Sequence, residues 1–187
     1  MNLGCGENPT PGWVNLDARL LPGSLFWDCR RRLPFADGSV IALYTEHMFE
    51  HFDVDSEAMP LLEECMRCLK PGGVLRIVVP DAGRYIRAYG GPWQPLVEMK
   101  GLIANGSGWR DHWLEATYET QMQVINAVFR QNYEHKYAYD EETLVLMLRR
   151  GGFSRVIRQE FGVSIDPMMA PDNLEKRNES LYVEAIK

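Results

Sequence analysis

The chain has 187 residues, of which 45% are hydrophobic and 25% charged, and these values are typical of a single globular domain. The net charge of −6 disfavours nucleic acid as a partner, because a protein that neutralises many phosphates needs an excess of basic residues. The sequence contains no cleavable signal and no apolar stretch of about 20 residues. We therefore predict a cytoplasmic protein without a membrane partner.

Short apolar segments alternate with turns through the first half of the chain. We predict that they are β-strands over residues 1–3, 13–16, 24–27, 40–44 and 74–79. Apolar residues at helical spacing predict a helix over about residues 56–69, which Pro71 and the two glycines after it should stop. A strand, a helix and a further strand at this spacing are typical of a parallel sheet.

The second half begins with a region rich in aromatic residues, 84–139. It shows little strand pattern, so we predict a helical excursion from one domain that spans residues 1–187. After it, Asp140 is predicted to be the N-cap of a helix that ends at Gly151. Two final strands are predicted over residues 154–161 and 180–185.

Two of the four cysteines, Cys65 and Cys68, form a C-x-x-C pair near the end of the first predicted helix. Redox pairs of this kind gain reactivity at a helix N-terminus, where the helix dipole stabilises a thiolate. At a C-terminus the dipole acts against the thiolate. We therefore interpret these cysteines as structural thiols.

The stretch TEHMFEHF at residues 45–52 contains the pattern of inverted zinc proteases, H-x-x-E-H. In that pattern, two histidines, here His47 and His51, hold zinc and the glutamate, here Glu50, activates water. Catalytic zinc also needs a third protein ligand, and no downstream segment supplies one in a recognisable pattern. We therefore predict no bound metal. The stretch is interpreted as the turn from the fourth strand into its helix, with a zinc hydrolase as a less favoured alternative.

Glycine and aspartate residues follow the first three predicted strands. In an open parallel sheet, ligands bind outside the carboxyl ends of the strands. Gly4 and Gly6 would let the backbone approach a ligand closely. Asp17 could accept both hydroxyls of a ribose, and Asp28 could accept from an exocyclic amine. Asp17 follows the first glycine too closely for the dinucleotide fingerprint, which has its acidic residue about 20 positions further on, so we predict a nucleoside site without a pyrophosphate.

The order of these motifs resembles the class I S-adenosylmethionine-dependent methyltransferases, in particular the small type 11 group. The resemblance rests on LGCG, GWVNLD, WD, LPFADGSV, EHMFEHF and LKPGGVLRIVVPD, and it returns in HKYAYDEETL, RRGGF and SLYVEA. It implies an α/β, Rossmann-like fold with a seven-stranded, mostly parallel sheet. The last strand of that sheet would be antiparallel, and in this chain we expect the first strand to be shortened.

The resemblance also implies S-adenosylmethionine as the cofactor. The residues that it assigns to cofactor binding are Leu3, Gly4, Gly6, Asp17, Asp28, Cys29, Thr45 and Glu46. Among these, Asp17 would hold the ribose, while Asp28 and the backbone of Cys29 would contact the adenine. The residues near the first glycine would line the methionine tail, and the pair after the fourth strand would close the site.

The sequence departs from the family in three ways, one of which is Ile41, where the family often has an acidic residue. The first strand begins at Met1, so we expect further structure before it, from a longer chain or from a partner. In addition, two prolines within residues 7–12 leave no room for a full crossover helix after the glycine turn. A methyltransferase-like protein that binds the cofactor without catalysis is therefore the second hypothesis.

The predicted reaction is methyl transfer to a small-molecule acceptor. The enzyme must align the acceptor and, for a hydroxyl or thiol, supply a base. The excursion over residues 84–139 stands where such folds place the acceptor site. Its histidines, His112 and His135, are the candidates for the base, and His135 fits the family's H-x-x-x-Y-D pattern. A purely structural role for each histidine is the alternative.

Overall fold

A computed structural model describes residues 1–166 and 171–187, and its largest element is a seven-stranded sheet. The strands of this sheet are β1 (Asn2–Leu3), β2 (Asn15–Asp17), β3 (Leu25–Phe26), β4 (Val40–Glu46), β5 (Leu69–Pro80), β9 (Arg155–Gln159) and β10 (Ser180–Ile186). They lie in the order β3-β2-β1-β4-β5-β10-β9. β10 is antiparallel to both of its neighbours, and the other pairs are parallel. The predicted Rossmann-like fold with an antiparallel last strand is confirmed.

β1 consists of two residues but is paired on both sides. Leu3 is in register with Leu16 of β2 and with Thr45 of β4. The Met1 carbonyl accepts from the Tyr44 N–H at 2.9 Å, which extends the pairing by one residue. The short strand therefore holds the carboxyl ends of β2 and β4 at one level of the sheet.

Helix α1 (Met59–Cys68) connects β4 to β5 and buries one apolar face. A single π-helical turn, Val54–Ala58, precedes it, and the Asp53 side chain caps that turn by accepting from the Ser56 N–H. β5 begins at Leu69, five residues earlier than predicted, because the glycine-rich segment after Pro71 remains extended. The register with β4 shifts at this point, and such irregularities accommodate a proline that cannot donate to the ladder.

The region between β5 and β9 contains more than the predicted helices. Its helices are α2 (Ala82–Ala88), α3 (Gln94–Lys100) and α4 (Gln121–Arg130). Between α3 and α4, the strands β6 (Ile103–Asn105), β7 (Gly108–Asp111) and β8 (Ala116–Tyr118) form an antiparallel sheet. The prediction of helices throughout was therefore wrong for these residues. The signal that we missed is Gly106-Ser107, the two-residue hairpin loop between β6 and β7, in which Gly106 has a φ of +59°.

Helix α5 (Glu141–Arg150) begins where predicted, since the Asp140 side chain accepts from the Thr143 N–H at 2.9 Å. Its apolar face joins α1 and the central strands in the main core. No helix in the described part of the chain is both long enough and apolar enough to cross a bilayer.

The opposite face of the sheet carries a buried ion cluster. The guanidinium of Arg76 donates to Asp172 at 2.8 Å and to Glu184 at 3.1 Å, and all three side chains are buried. This pairing compensates the charges and fixes the segment around Asp172 against the sheet. Residues that follow Asp172 form part of the cavity wall described below.

Two of the three leucines in α5 provide a matched test of the core. Leu148 is fully buried, whereas Leu146 on the same helix is 47% exposed. We expect Leu148→Ala to lower the free energy of unfolding by about 2–5 kcal/mol, through lost burial and the cavity that remains. Leu146→Ala should cost less than about 1 kcal/mol. Urea unfolding measures both, and equal losses would contradict the assigned faces of α5.

Candidate functional site

A cavity of about 990 Å³ opens at the carboxyl ends of β1 to β4. This volume lies at the upper end of the range for small-molecule sites, about 300–1,000 Å³. Six of the eight residues assigned to the cofactor line it, namely Gly4, Gly6, Asp17, Asp28, Cys29 and Glu46. Leu3 and Thr45 do not line it, because both are buried beneath the cavity and are paired with each other across β1 and β4. Their side chains therefore do not reach this cavity.

The turn after β1 is shaped by two glycines with left-handed backbones. The φ angles are +66° at Gly4 and +53° at Gly6. A Cβ at Gly4 would lie 2.8 Å from the Cβ of Met48, closer than real side chains approach. Gly4 is therefore needed both for its backbone angle and for the close approach of the segment after β4.

The Asp17 carboxylate anchors this turn. Its Oδ2 accepts from the Gly6 N–H at 2.8 Å, and its Oδ1 accepts from the Arg19 N–H at 2.8 Å. A carboxylate oxygen can accept a second hydrogen bond, so Asp17 can still accept from a ligand hydroxyl. The same residue thus fixes the glycine turn and presents a negative charge to the cavity.

Asp28 follows β3 and is held by an arginine. Arg30 donates to Oδ1 through Nε and to Oδ2 through Nη2, each at 2.8 Å. These hydrogen bonds lower the pKa of Asp28, so the side chain stays ionised. A ligand amine would share the carboxylate with Arg30.

Glu46 ends β4 and faces the last part of the chain. Its Oε1 accepts from the Asn173 N–H at 3.0 Å. Burial raises its pKa to about 6, despite that hydrogen bond. Glu46 therefore carries a carboxyl group that exchanges a proton near neutral pH at the wall of the cavity.

The H-x-x-E-H stretch does not form the zinc-protease arrangement. His47 has a φ of +49°, and a short 3₁₀ helix, Phe49–His51, follows it, so His47 and His51 do not share a helix face. His47 Nε2 lies 2.8 Å from the Ser180 hydroxyl. The interpretation as an ordinary turn after β4 agrees with this backbone, although the turn leads into 3₁₀ and π-helical turns before α1.

The structure does bring a downstream histidine to this stretch. Glu50, His51 and His135 each offer one ligand atom, and these atoms lie within 4.8 Å of one another. His135, a downstream histidine that no sequence pattern marks as a ligand, therefore lies beside two residues of the H-x-x-E-H stretch, and His47 is not part of this group. Burial raises the pKa of Glu50 to about 8 and lowers that of His135 to about 4.

Neither candidate base lines the cavity. His112 is exposed beside Trp113, with a ring-centroid distance of 5.2 Å, and His135 lies behind the wall with a side chain that is 4% exposed. The wall on this side contains His47, which the interpretation of TEHMFEHF as a turn places at or near the cleft. It also contains residues that sequence reasoning did not assign, namely Met48, His51, Gln131, Glu134, Asn173 and Lys176. The H-x-x-E-H pattern was the signal for the two histidines in this wall.

Residues 25–77 match a family model described as a methyltransferase domain. No curated protein sequence matches the chain. The fold is similar to that of an S-adenosylmethionine-dependent methyltransferase from Archaeoglobus fulgidus, with 16% identity, a TM-score of 0.57, and coverage of 100% of this chain and 84% of that one.

A second similar structure is an S-adenosylmethionine-dependent methyltransferase from Mesorhizobium loti. It has 15% identity and a TM-score of 0.52, and the match covers 100% of this chain and 89% of that one. The chain spans only 44–63% of the length of three further matched structures. At these identities the structural matches show a shared fold.

A comparison of Gly4 with Gly38 distinguishes the cost of the steric contact at Gly4 from the cost of its left-handed backbone. Gly38 also has a positive φ, +58°, but a Cβ there would meet nothing within 4 Å. Both Gly4→Ala and Gly38→Ala should lose about 1–2 kcal/mol of stability from the left-handed backbone. Gly4→Ala should lose more, because Met48 must move. Thermal unfolding compares the variants, and an equal loss would contradict the close packing at Gly4.

Proposed function

We infer that this chain, which carries the fold and the matched residues of a class I S-adenosylmethionine-dependent methyltransferase domain, binds S-adenosylmethionine and transfers its methyl group to a small molecule. One observation carries the proposal. The glycine turn after β1, Asp17 after β2 and Asp28 after β3 converge on a single cavity. Ligands of open parallel sheets bind at this edge.

The cavity chemistry suits a nucleoside with a cationic tail. Asp17 would accept from the ribose hydroxyls while it holds the Gly6 N–H, and Asp28 would accept from the adenine amine beside Cys29. Gly4 and Gly6 leave the backbone open to the methionine portion. Glu46, at the end of β4, would stand near the charged end of the cofactor.

The acceptor would enter on the side where the excursion returns to the main fold. Gln131 and Glu134 belong to that return, and both line the cavity next to His51. His51 therefore replaces His112 and His135 as the histidine that an acceptor would meet. Methyl transfer requires chiefly that the acceptor atom be aligned with the sulfonium methyl group, and a walled cavity provides this alignment.

We also propose that the chain is located in the cytoplasm. All four cysteines are free and buried. Unpaired thiols are typical of proteins in reducing compartments.

Binding of the demethylated cofactor, S-adenosylhomocysteine, tests the proposal. We expect Asp17→Ala to weaken binding about tenfold to a hundredfold, because charge-assisted hydrogen bonds are worth about 1.5–3 kcal/mol. Asp55→Ala is the matched control, since Asp55 is exposed and outside the cavity. Isothermal titration calorimetry gives both affinities. The proposal would be contradicted if the unaltered chain did not bind S-adenosylhomocysteine, or if it bound NAD instead.

Turnover distinguishes an enzyme from a protein that only binds the cofactor. We expect radiolabelled methyl groups from S-adenosylmethionine to appear in at least one member of a panel of small hydroxyl, thiol and amine acceptors. Transfer should fall in Asp17→Ala in proportion to the loss of cofactor binding. Tight S-adenosylhomocysteine binding without transfer to any acceptor would favour the non-catalytic hypothesis.

A further inference from the structure

Glu50 is a buried carboxyl group without a hydrogen-bond donor. The residue is 1% exposed, and neither side-chain oxygen has a hydrogen-bond partner among the described residues. Its backbone carbonyl is satisfied, since it accepts from Lys136 and Tyr137 at 2.9 and 3.2 Å. Burying an unpaired carboxyl is costly, so such a group requires a compensating charge or proton.

The tautomer of His135 is fixed by the backbone. Its Nδ1 lies 2.7 Å from the Val128 carbonyl, and a carbonyl can only accept, so Nδ1 carries the proton. In the neutral ring, Nε2 then has a free lone pair. Nε2 has no hydrogen-bond partner, and it lies 3.8 Å from Glu50 Oε1. A lone pair on His135 therefore faces the carboxyl group.

The tautomer of His47 follows from the serine that it contacts. The Ser180 hydroxyl donates to the Lys176 carbonyl at 2.7 Å, so it must accept from His47 Nε2 at 2.8 Å. His47 Nδ1 is then the nitrogen with the lone pair, and it lies 3.6 Å from Glu50 Oε1. Lone pairs on two histidines thus point towards one carboxyl group.

His51 completes the arrangement from the side of the cavity. Its Nδ1 lies 3.2 Å from the Glu134 carbonyl, which leaves Nε2 as the nitrogen with a free lone pair. The ring stands edge-on to His135, with a centroid distance of 4.8 Å. His51 and His135 are therefore each oriented by a backbone carbonyl, as metal-binding histidines are.

A proton shared between the Glu50 carboxyl group and a histidine nitrogen would not bridge these atoms at the observed distance. The 3.8 Å between His135 Nε2 and Glu50 Oε1 exceeds hydrogen-bond length, and the ligand atoms of Glu50, His51 and His135 lie within 4.8 Å of one another. A divalent ion fits better, because Zn–N and Zn–O bonds of about 2.0–2.1 Å place tetrahedral ligand atoms about 3.3 Å apart. We propose that Glu50, His51 and His135 form a zinc site in the wall of the cavity.

The donor set determines the class of metal. Two imidazoles and one carboxylate suit Zn²⁺ and leave a coordination position for water or a substrate oxygen. His51 and Glu134 line the cavity, so the ion would stand next to the acceptor side. Zinc binding requires only these side chains and stands independently of the proposed methyl transfer.

Metal titration of the tag-free chain, after removal of metals with a chelator, tests the proposal. Calorimetry should show one Zn²⁺ per chain, and Zn²⁺ should raise the melting temperature. Glu50→Gln and His51→Gln should each weaken binding by more than about 100-fold, since changes to outer-shell residues alone cost about 10–100-fold. His112→Gln, at an exposed histidine away from the cavity, should bind as the unaltered chain does.

Cobalt(II) identifies the ligands. The Co²⁺-loaded chain should show visible bands of a four- or five-coordinate site without a sulfur charge-transfer band, which would indicate the cysteines instead. His51 is partly exposed, so His51→Gln provides a folded variant even if Glu50→Gln does not fold. Three results would overturn the site: no Zn²⁺ uptake, unchanged affinity in His51→Gln, or a sulfur band. S-Adenosylhomocysteine titration of the metal-free chain separates failure of this site from failure of the proposed function.

Discussion

The two-residue pairing of β1 with both β2 and β4 is the constraint on which the site depends. Leu3 lies between Leu16 and Thr45, and this register brings three strand ends to one level. Because the strands are parallel, the glycine turn, Asp17 and Glu46 then face the same space. The Asp17 carboxylate reinforces the register by accepting from the Gly6 N–H. A shift of one residue in β1 would turn the β1 side chains to the opposite face and displace the glycine turn from Asp17.

The part of the site that follows directly from strand ends could be predicted from the sequence. Gly4, Asp17 and Asp28 each come after a short apolar segment, and such a segment specifies both a strand and its end. Leu3 and Thr45 do not line the cavity although the resemblance assigned them to the cofactor, because a family motif marks a stretch of chain and not the face of each side chain. Alternation along a strand places them beneath the cavity while their neighbours line it.

The Glu50 cluster could not be predicted, because it depends on tertiary contacts over a long stretch of sequence. The Glu50 carbonyl accepts from the backbone of Lys136 and Tyr137, and this contact brings His135 beside the carboxyl group. The sheet formed by β6, β7 and β8 was missed for a related reason. Its strands have three or four residues each, too few for alternation to be recognised.

Two buried carboxyl groups, those of Glu184 and Glu50, differ in how their charge is compensated. The charge of Glu184 is compensated by Arg76, so this carboxylate needs no partner from outside the protein. Glu50 faces imidazole nitrogens, and its carboxyl oxygens have no hydrogen-bond donor in the part of the chain that the structure describes. Such incomplete satisfaction is typical of functional sites, and here it occurs in the wall of the same cavity that the strand ends form.

The most direct test of the account is a crystal structure of the chain grown with S-adenosylhomocysteine. We expect the ribose hydroxyls to lie at the Asp17 carboxylate and the adenine beside Asp28 and Cys29. The homocysteine portion should lie against the Gly4–Gly6 turn. The sulfur atom should point towards the side of the cavity lined by His51. A nucleoside bound elsewhere, or a cavity that stays empty at saturating ligand concentration, would contradict the account.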